Sequence, residues 1–214
     1  MPTIYETKLD GSRGVRYFHI SLVRLYLDQA HKNAIEASVA ENENPLFSCI
    51  TAIVFSAMAL EAFINEVSED VIDKDELNRF IHLKKPYQIK GKEGSVCAKY
   101  RILFEKSFNH ELEEEIKNSI RALIELRNNL VHYKLTELAG KFIMPPVKHT
   151  PTGDGGMMST IDFMVEPERV EPPFLSKVNS VAAVEGFNTA YSVINKWGTM
   201  LGAEDYVPGL EKIV

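Results

Sequence analysis

The sequence predicts an all-α protein: an up-and-down helical bundle of about five main helices, with a β-hairpin insertion before the last one. Three observations predict it. Long stretches without Gly or Pro carry apolar residues at helical spacing. Helix-breaking residues gather between those stretches, around 41–45, 86–94 and 140–177. The chain has 214 residues, 45% hydrophobic and 25% charged, enough to bury one core without disulfides or metals.

Residues 1–14 are polar and hold Asp10-Gly11 and Arg13-Gly14, so a flexible lead-in is expected ahead of a single helical domain over 15–214. Residues 15–40 read as one long helix whose apolar side chains wrap more than one side: Phe18, Leu22 and Leu25 against Ile20, Val23 and Leu27. A turn follows, with Asn44 as N-cap and Pro45 at the first helical position of a second helix over 45–70. Residues 73–82 suggest a short helix, 87–94 a polar loop, and 95–108 a further helix. The next helix is expected from about 109 to 133, with Glu111, Glu113, Glu114 and Glu115 in its first turns, where the macrodipole favours acids. From 140 to 177 prolines and the run Thr152-Gly153-Asp154-Gly155-Gly156 indicate a hairpin excursion rather than a second domain. A last helix over 178–201 presents Val184, Phe187, Tyr191 and Ile194, and the tail from Gly202 is expected on the surface.

Composition bounds the function. The formal net charge is −6 and the pI about 5.6, which argues against a general nucleic-acid coat but allows a local basic cleft. Lys84, Lys85, Lys90, Lys92 and Lys99 form the one dense basic stretch and read as a solvated loop. No apolar run approaches the roughly 18 residues that span a bilayer, and 47–60, the most apolar stretch, reads as a core helix. Residues 1–16 lack the apolar segment of a signal peptide. Cys49 and Cys97 read as reduced, buried thiols of a cytoplasmic protein.

The chain comes to a point at Glu125-Leu126-Arg127-Asn128-Asn129-Leu130-Val131-His132-Tyr133. At about 100° per residue, with Ile116 at zero, Ile120, Leu123, Ile124, Leu130 and Val131 fall within roughly 80° of one line. Arg127 falls at about 20°, inside that stripe. An arginine stays charged and is costly to bury alone, so it needs a carboxylate, a phosphate or a wet cleft. On the second helix, with Ile50 at zero, Val54, Ala57, Ile64 and Ser68 form the expected inner face; Glu61 falls at about 20° and Asn65 at about 60°. The opposite charges predict that the two helices pack together and that Glu61 meets Arg127. Asn128 and His132 are four apart and share a neighbouring face.

The six histidines have no metal-ligand spacing with a carboxylate, no glycine-rich phosphate loop follows a strand, and no Ser or Cys nucleophile signature is present. No metal and no cofactor are expected. What remains is Arg127, Asn128 and His132. An imidazole can take a proton near neutral pH, and a guanidinium can hold a phosphate and stabilise charge building on it. These groups suffice for metal-free RNA cleavage. They equally fit a structural role, with Arg127 in a core ion pair and His132 as a helix C-terminal residue favoured by the dipole.

The run Arg127-Asn128-Asn129-Leu130-Val131-His132 resembles the Arg-to-His signature of HEPN domains (higher eukaryotes and prokaryotes nucleotide-binding). The run from Ser56 to Glu66, with Ala59-Leu60-Glu61, is similar to their second helix, and the likeness extends over about 15–133. The resemblance implies a dimer whose two motifs face a shared cleft. It also implies metal-independent endoribonuclease activity on RNA, single-stranded RNA above all, often in toxin–antitoxin or phage-defence settings with an antitoxin or other regulatory partner. Carried over, Arg127 and His132 are the catalytic pair, Asn128 the supporting polar residue, and Glu61, with Asn65 nearby, the polar position that orients the arginine. It leaves room for a non-catalytic module that binds a nucleotide, nucleic acid or partner protein. Toxins silenced by a partner nucleotidyltransferase carry a tyrosine two residues after the histidine; here Tyr133 follows directly and Lys134 holds that place. The 140–177 segment is not part of the minimal domain.

Overall fold

The computed structural model describes residues 3–19, 21–39, 45–91, 93–132, 140–162, 164–201 and 207–214. Asn44, Lys92, Tyr133, Lys134 and the start of the tail at Gly202 lie outside them. The protein is mostly helical with a few short strands. Its elements are β1 (Thr3–Asp10), β2 (Arg13–His19), α1 (Leu22–Val39), α2 (Leu46–Val71), α3 (Lys74–Ile81), α4 (Ser95–Phe108), α5 (Glu114–Val131), β3 (Lys141–Ile143), β4 (Lys148–Pro151), β5 (Met157–Thr160), β6 (Glu168–Val170) and α6 (Ser180–Leu201). They fall into two compact units, 1–131 with 179–214, and 132–178. One domain with an excursion was expected; the excursion instead gathers its own contacts.

Residues 3–19 form an antiparallel β1–β2 pair, from Thr3 opposite His19 to Asp10 opposite Arg13, where a flexible lead-in and the start of a helix were expected. Thr3, Ile4, Tyr5, Thr7, Val15, Tyr17 and Phe18 favour extended backbone. Gly11 takes the left-handed conformation (φ +60°) that the tight turn between the strands needs. The first helix therefore starts at Leu22. It buries Val23, Leu27, Ala30, Ala34 and Ala37, alternating steps of four and three, as one stripe. Leu22 and Leu25, expected to serve a second buried side, are exposed.

Helix α2 packs against all five other helices. Helices α1 and α2 pack together, and both carry small buried residues that allow close packing: Ala30, Ala34 and Ala37 on α1, and Cys49, Ala52, Ser56 and Ala59 on α2. Pro45 occupies the N-cap position, one place ahead of expectation, and its carbonyl accepts from Cys49 N at 2.8 Å. The inward line runs through Cys49, Ile53, Ser56, Leu60, Phe63 and Val67. It is rotated from the predicted line through Ile50 and Val54, which are only half-buried. Helix α2 is 26 residues long, and its most apolar window has a mean hydropathy of 2.0 and is 56% buried. By length and composition it could cross a membrane, contrary to expectation. Its packing on five helices is that of a core helix.

The centre of the core is Trp197 on α6, ringed by Phe63, Tyr100, Phe104 and Phe108 at centroid distances of 5.3–5.9 Å. Tyr100 satisfies its hydroxyl by donating to Leu60 O at 2.8 Å. Beside it, Arg101 grips Glu93 through Nη2 at 2.7 Å and Nε at 3.1 Å, which ties the polar loop to the middle of α4. Asn109 ends α4 in the left-handed conformation. Helix α5 therefore begins at Glu114, not near 109, and only Glu114 and Glu115 stand in its first turn. The tail does not simply lie on the surface: Val207 and Leu210 are buried, and the Asn188 side chain exchanges two 2.9 Å hydrogen bonds with the Ile213 backbone.

In the second unit β4 pairs with β5 around the turn at 152–156, and β3 pairs with β6, both antiparallel. Two two-stranded ribbons thus stand where one hairpin, with flanks at 141–147 and 158–165, was expected. Prolines at 145, 146, 151 and 167 remove ladder donors and cut the flanks into short strands.

Candidate active site at the α2–α5 seam

Helix α5 buries Ile120, Leu123 and Ile124, and Arg127 stands seven, four and three residues further along that line. Its side chain is 17% exposed. The Nη2 group donates to Glu61 Oε1 across the packed helices α2 and α5. Nε is buried without a hydrogen-bond partner among the described residues. Burial pushes the guanidinium below its ordinary pKa, yet an arginine remains cationic at any physiological pH, and the carboxylate beside it favours that charge.

The structure thus brings together Arg127 and Glu61, the pair inferred from two charges on apolar faces, and corrects how each gets there. The apolar line of α5 does not run on past Arg127: Leu130 is half-buried and Val131 is 52% exposed. Arg127 is where core gives way to water. Glu61 is not inside the buried face of α2 but beside it, with its side chain 36% exposed. Asn128 is exposed on the turn of Arg127, and Asn65 is exposed one turn beyond Glu61. His132 follows the last residue of α5, is exposed, and belongs to the second compact unit. Neither Asn128 nor Asn65 makes a hydrogen bond or ion pair to Arg127 or Glu61 among the described residues. Chemically, the seam offers a partly exposed cation held by one carboxylate, a charge of the kind that binds phosphate.

Other candidates have structural explanations. Lys84, Lys85 and Lys90 are exposed, whereas Lys99 is half-buried over the Phe80 ring at 5.9 Å and burial lowers its pKa. Cys49 and Cys97 are buried free thiols whose pKa values burial raises, which makes them poor nucleophiles. Among the described residues no cluster of three or more His, Cys, Asp or Glu could hold a metal.

The sequence did not reveal a cleft of about 630 Å³ between α5 and α6, floored by Ala122, Leu123, Leu126, Gly186 and Val193. Small residues at Ala122, Ala182 and Gly186 were its only signal. Glu113 and Lys196 form an ion pair at 2.7 Å on its rim. No family model matches the chain, and neither a curated protein nor a solved structure is significantly similar to it.

Proposed function

We propose that the chain is a metal-independent endoribonuclease of the HEPN type that acts on RNA. The observation that carries the reading is the Arg127–Glu61 pair: a guanidinium at the edge of the core, steadied by one carboxylate and left with an unpartnered buried N–H. In this reading the helices around α2 are the up-and-down bundle of that family, the 140–177 segment is its insertion, and two copies set their Arg127 and His132 toward a shared cleft in a cytoplasmic homodimer.

His132 takes the proton of the ribose 2′-hydroxyl. The 2′-oxygen attacks the adjacent phosphorus and the bond to the 5′-oxygen breaks, leaving a 2′,3′-cyclic phosphate. The 5′-oxygen recovers a proton from the imidazolium. Arg127 donates to the non-bridging oxygens as charge builds there, Glu61 steadies it, Asn65 stands one turn beyond Glu61 as a supporting polar residue, and Asn128 hydrogen-bonds substrate. A toxin restrained by an antitoxin, or a phage-defence nuclease, is the setting that such chemistry suits. The test is incubation with single-stranded RNA in EDTA: wild type cleaves, and Arg127→Ala and His132→Ala do not.

A second reading, a non-catalytic HEPN-like module that binds a nucleotide, nucleic acid or partner protein, draws support from the net charge of −6 and from the absence of a polar partner orienting the His132 ring among the described residues. RNA affinity rests mainly on neutralised phosphates. If this reading holds, nucleotides or RNA raise the melting temperature without being cleaved.

A further inference from the structure

The unit over 132–178 carries apolar side chains that it does not cover. All four of its strands are exposed along almost their whole length, and among its described residues only Pro172 and Val178 are buried. Phe142 is 65% exposed, Met144 45%, Met157 64%, Met158 53%, Met164 93% and Val165 51%. Strands this short in two-stranded ribbons are marginal by themselves.

The apolar surface left exposed is of the size that one partner of an interface buries. At about 200 Å² per fully exposed large side chain, these six leave roughly 700 Å² of surface in water. Each partner of a standard protein–protein interface buries about 800 Å². The charge narrows the occupant. Residues 140–178 hold four basic groups (Lys141, Lys148, Arg169, Lys177) against five acidic ones (Asp154, Asp162, Glu166, Glu168, Glu171). A nucleic acid finds no positive field there, and a strongly charged protein finds no complement. A nearly neutral, apolar surface fits one of its own kind. The strand edges point the same way. With β3 paired only to β6 and β4 only to β5, every strand has one edge without a neighbour among the described residues. Such edges are templates for another strand, and identical edges can pair antiparallel about a two-fold axis.

We propose that the 140–177 arm is a dimerisation element, which buries exposed methionines and open strand edges against the same arm of a second copy. This does not rest on the ribonuclease reading and holds equally for a binding module. The test is sedimentation of the full-length chain over a hundredfold concentration range, for wild type and for Phe142→Glu with Met158→Glu. Trp197, the single tryptophan, lies in the core of the helical unit, so its emission reports that core independently of the arm.

The expected result is a wild-type dimer whose dissociation constant rises at least about tenfold in the double variant, with Trp197 emission unchanged. Met164→Glu alone, at the most exposed of the six positions, weakens it in the same direction and decides the matter if the double variant disturbs Trp197. A chain monomeric throughout, or a dimer equally tight in both variants, overturns the proposal. RNA cleavage is read separately, so losing one conclusion leaves the other standing.

Discussion

At the scale of the residue, two ion pairs set the terms. Arg127 is 17% exposed and Glu61 36%, so their separation leaves a partly buried cation without its carboxylate. Glu61→Gln should cost about 1–2 kcal/mol in urea unfolding, well short of the loss for a fully buried pair. Glu61→Gln with Arg127→Met should cost less than the two changes summed, since the second removes the charge that the first strands. Arg101 and Glu93 are more deeply placed, at 10% and 11% side-chain exposure. Burial alone would raise the Glu93 carboxyl, but its hydrogen bonds to Arg101 and to the Lys90 backbone outweigh this and hold it below its ordinary value of 4.5. A carboxyl with a depressed folded pKa contributes its full stability above the unfolded value and loses it as pH falls through the folded one. Glu93→Gln should therefore cost about 2–3 kcal/mol at neutral pH. Below about pH 4.5 its melting temperature should fall less steeply than that of wild type, as thermal melts across an acid series would show.

At the scale of the element, close packing is set by small side chains. An added Cβ at Gly186 on α6 would meet Leu123 Cδ1 at 3.2 Å, Ser56 Oγ at 3.8 Å and Ile53 Cα at 3.9 Å. The nearest atom is the far end of a flexible leucine, and a mid-helix glycine costs about 1 kcal/mol relative to alanine. The two effects nearly cancel, so Gly186→Ala should leave stability within about 1 kcal/mol of wild type. Gly186→Leu has no room beside Ile53 and should lose about 2–3 kcal/mol; denaturant midpoints measure both. The helices themselves were largely legible, because α2, α4 and α6 fill nearly the ranges that their Gly- and Pro-free patterns mark out. The β1–β2 ribbon was not. Its polar residues and Gly11 look like a lead-in, and strand pairing depends on a partner that no local window contains. The α5 start was misplaced for a related reason: acids from Glu111 on suit a helix N-terminus, but Asn109 turns the chain first.

At the scale of the whole molecule, the two units differ in how they resist opening. Strands of the 132–178 unit expose their backbone to water, whereas α2 lies between five other helices. Native-state hydrogen exchange should therefore find the amides of α2 opening only with global unfolding, and those of β4 and β5 much earlier in the monomer. The candidate site was legible in part for the same physical reason. Two opposite charges on apolar helix faces can be read from one sequence, and they do meet. Where the core ends, which decides whether Arg127 is a strut or a reagent, depends on how α2 and α5 rotate against each other, and the helical wheel misjudged that rotation for Glu61. The α5–α6 cleft was invisible because it belongs to no single element.

The account turns on whether the guanidinium at the α2–α5 seam acts on phosphate. The most direct measurement is cleavage of a single-stranded RNA by purified protein in EDTA, for wild type, Arg127→Ala and His132→Ala, with folding checked by Trp197 emission. A guanidinium and imidazole acting on phosphate should give fragments ending in a 2′,3′-cyclic phosphate with wild type, and rates at least about a hundredfold lower with either folded variant. Equal cleavage by all three proteins, or none by any, would contradict it.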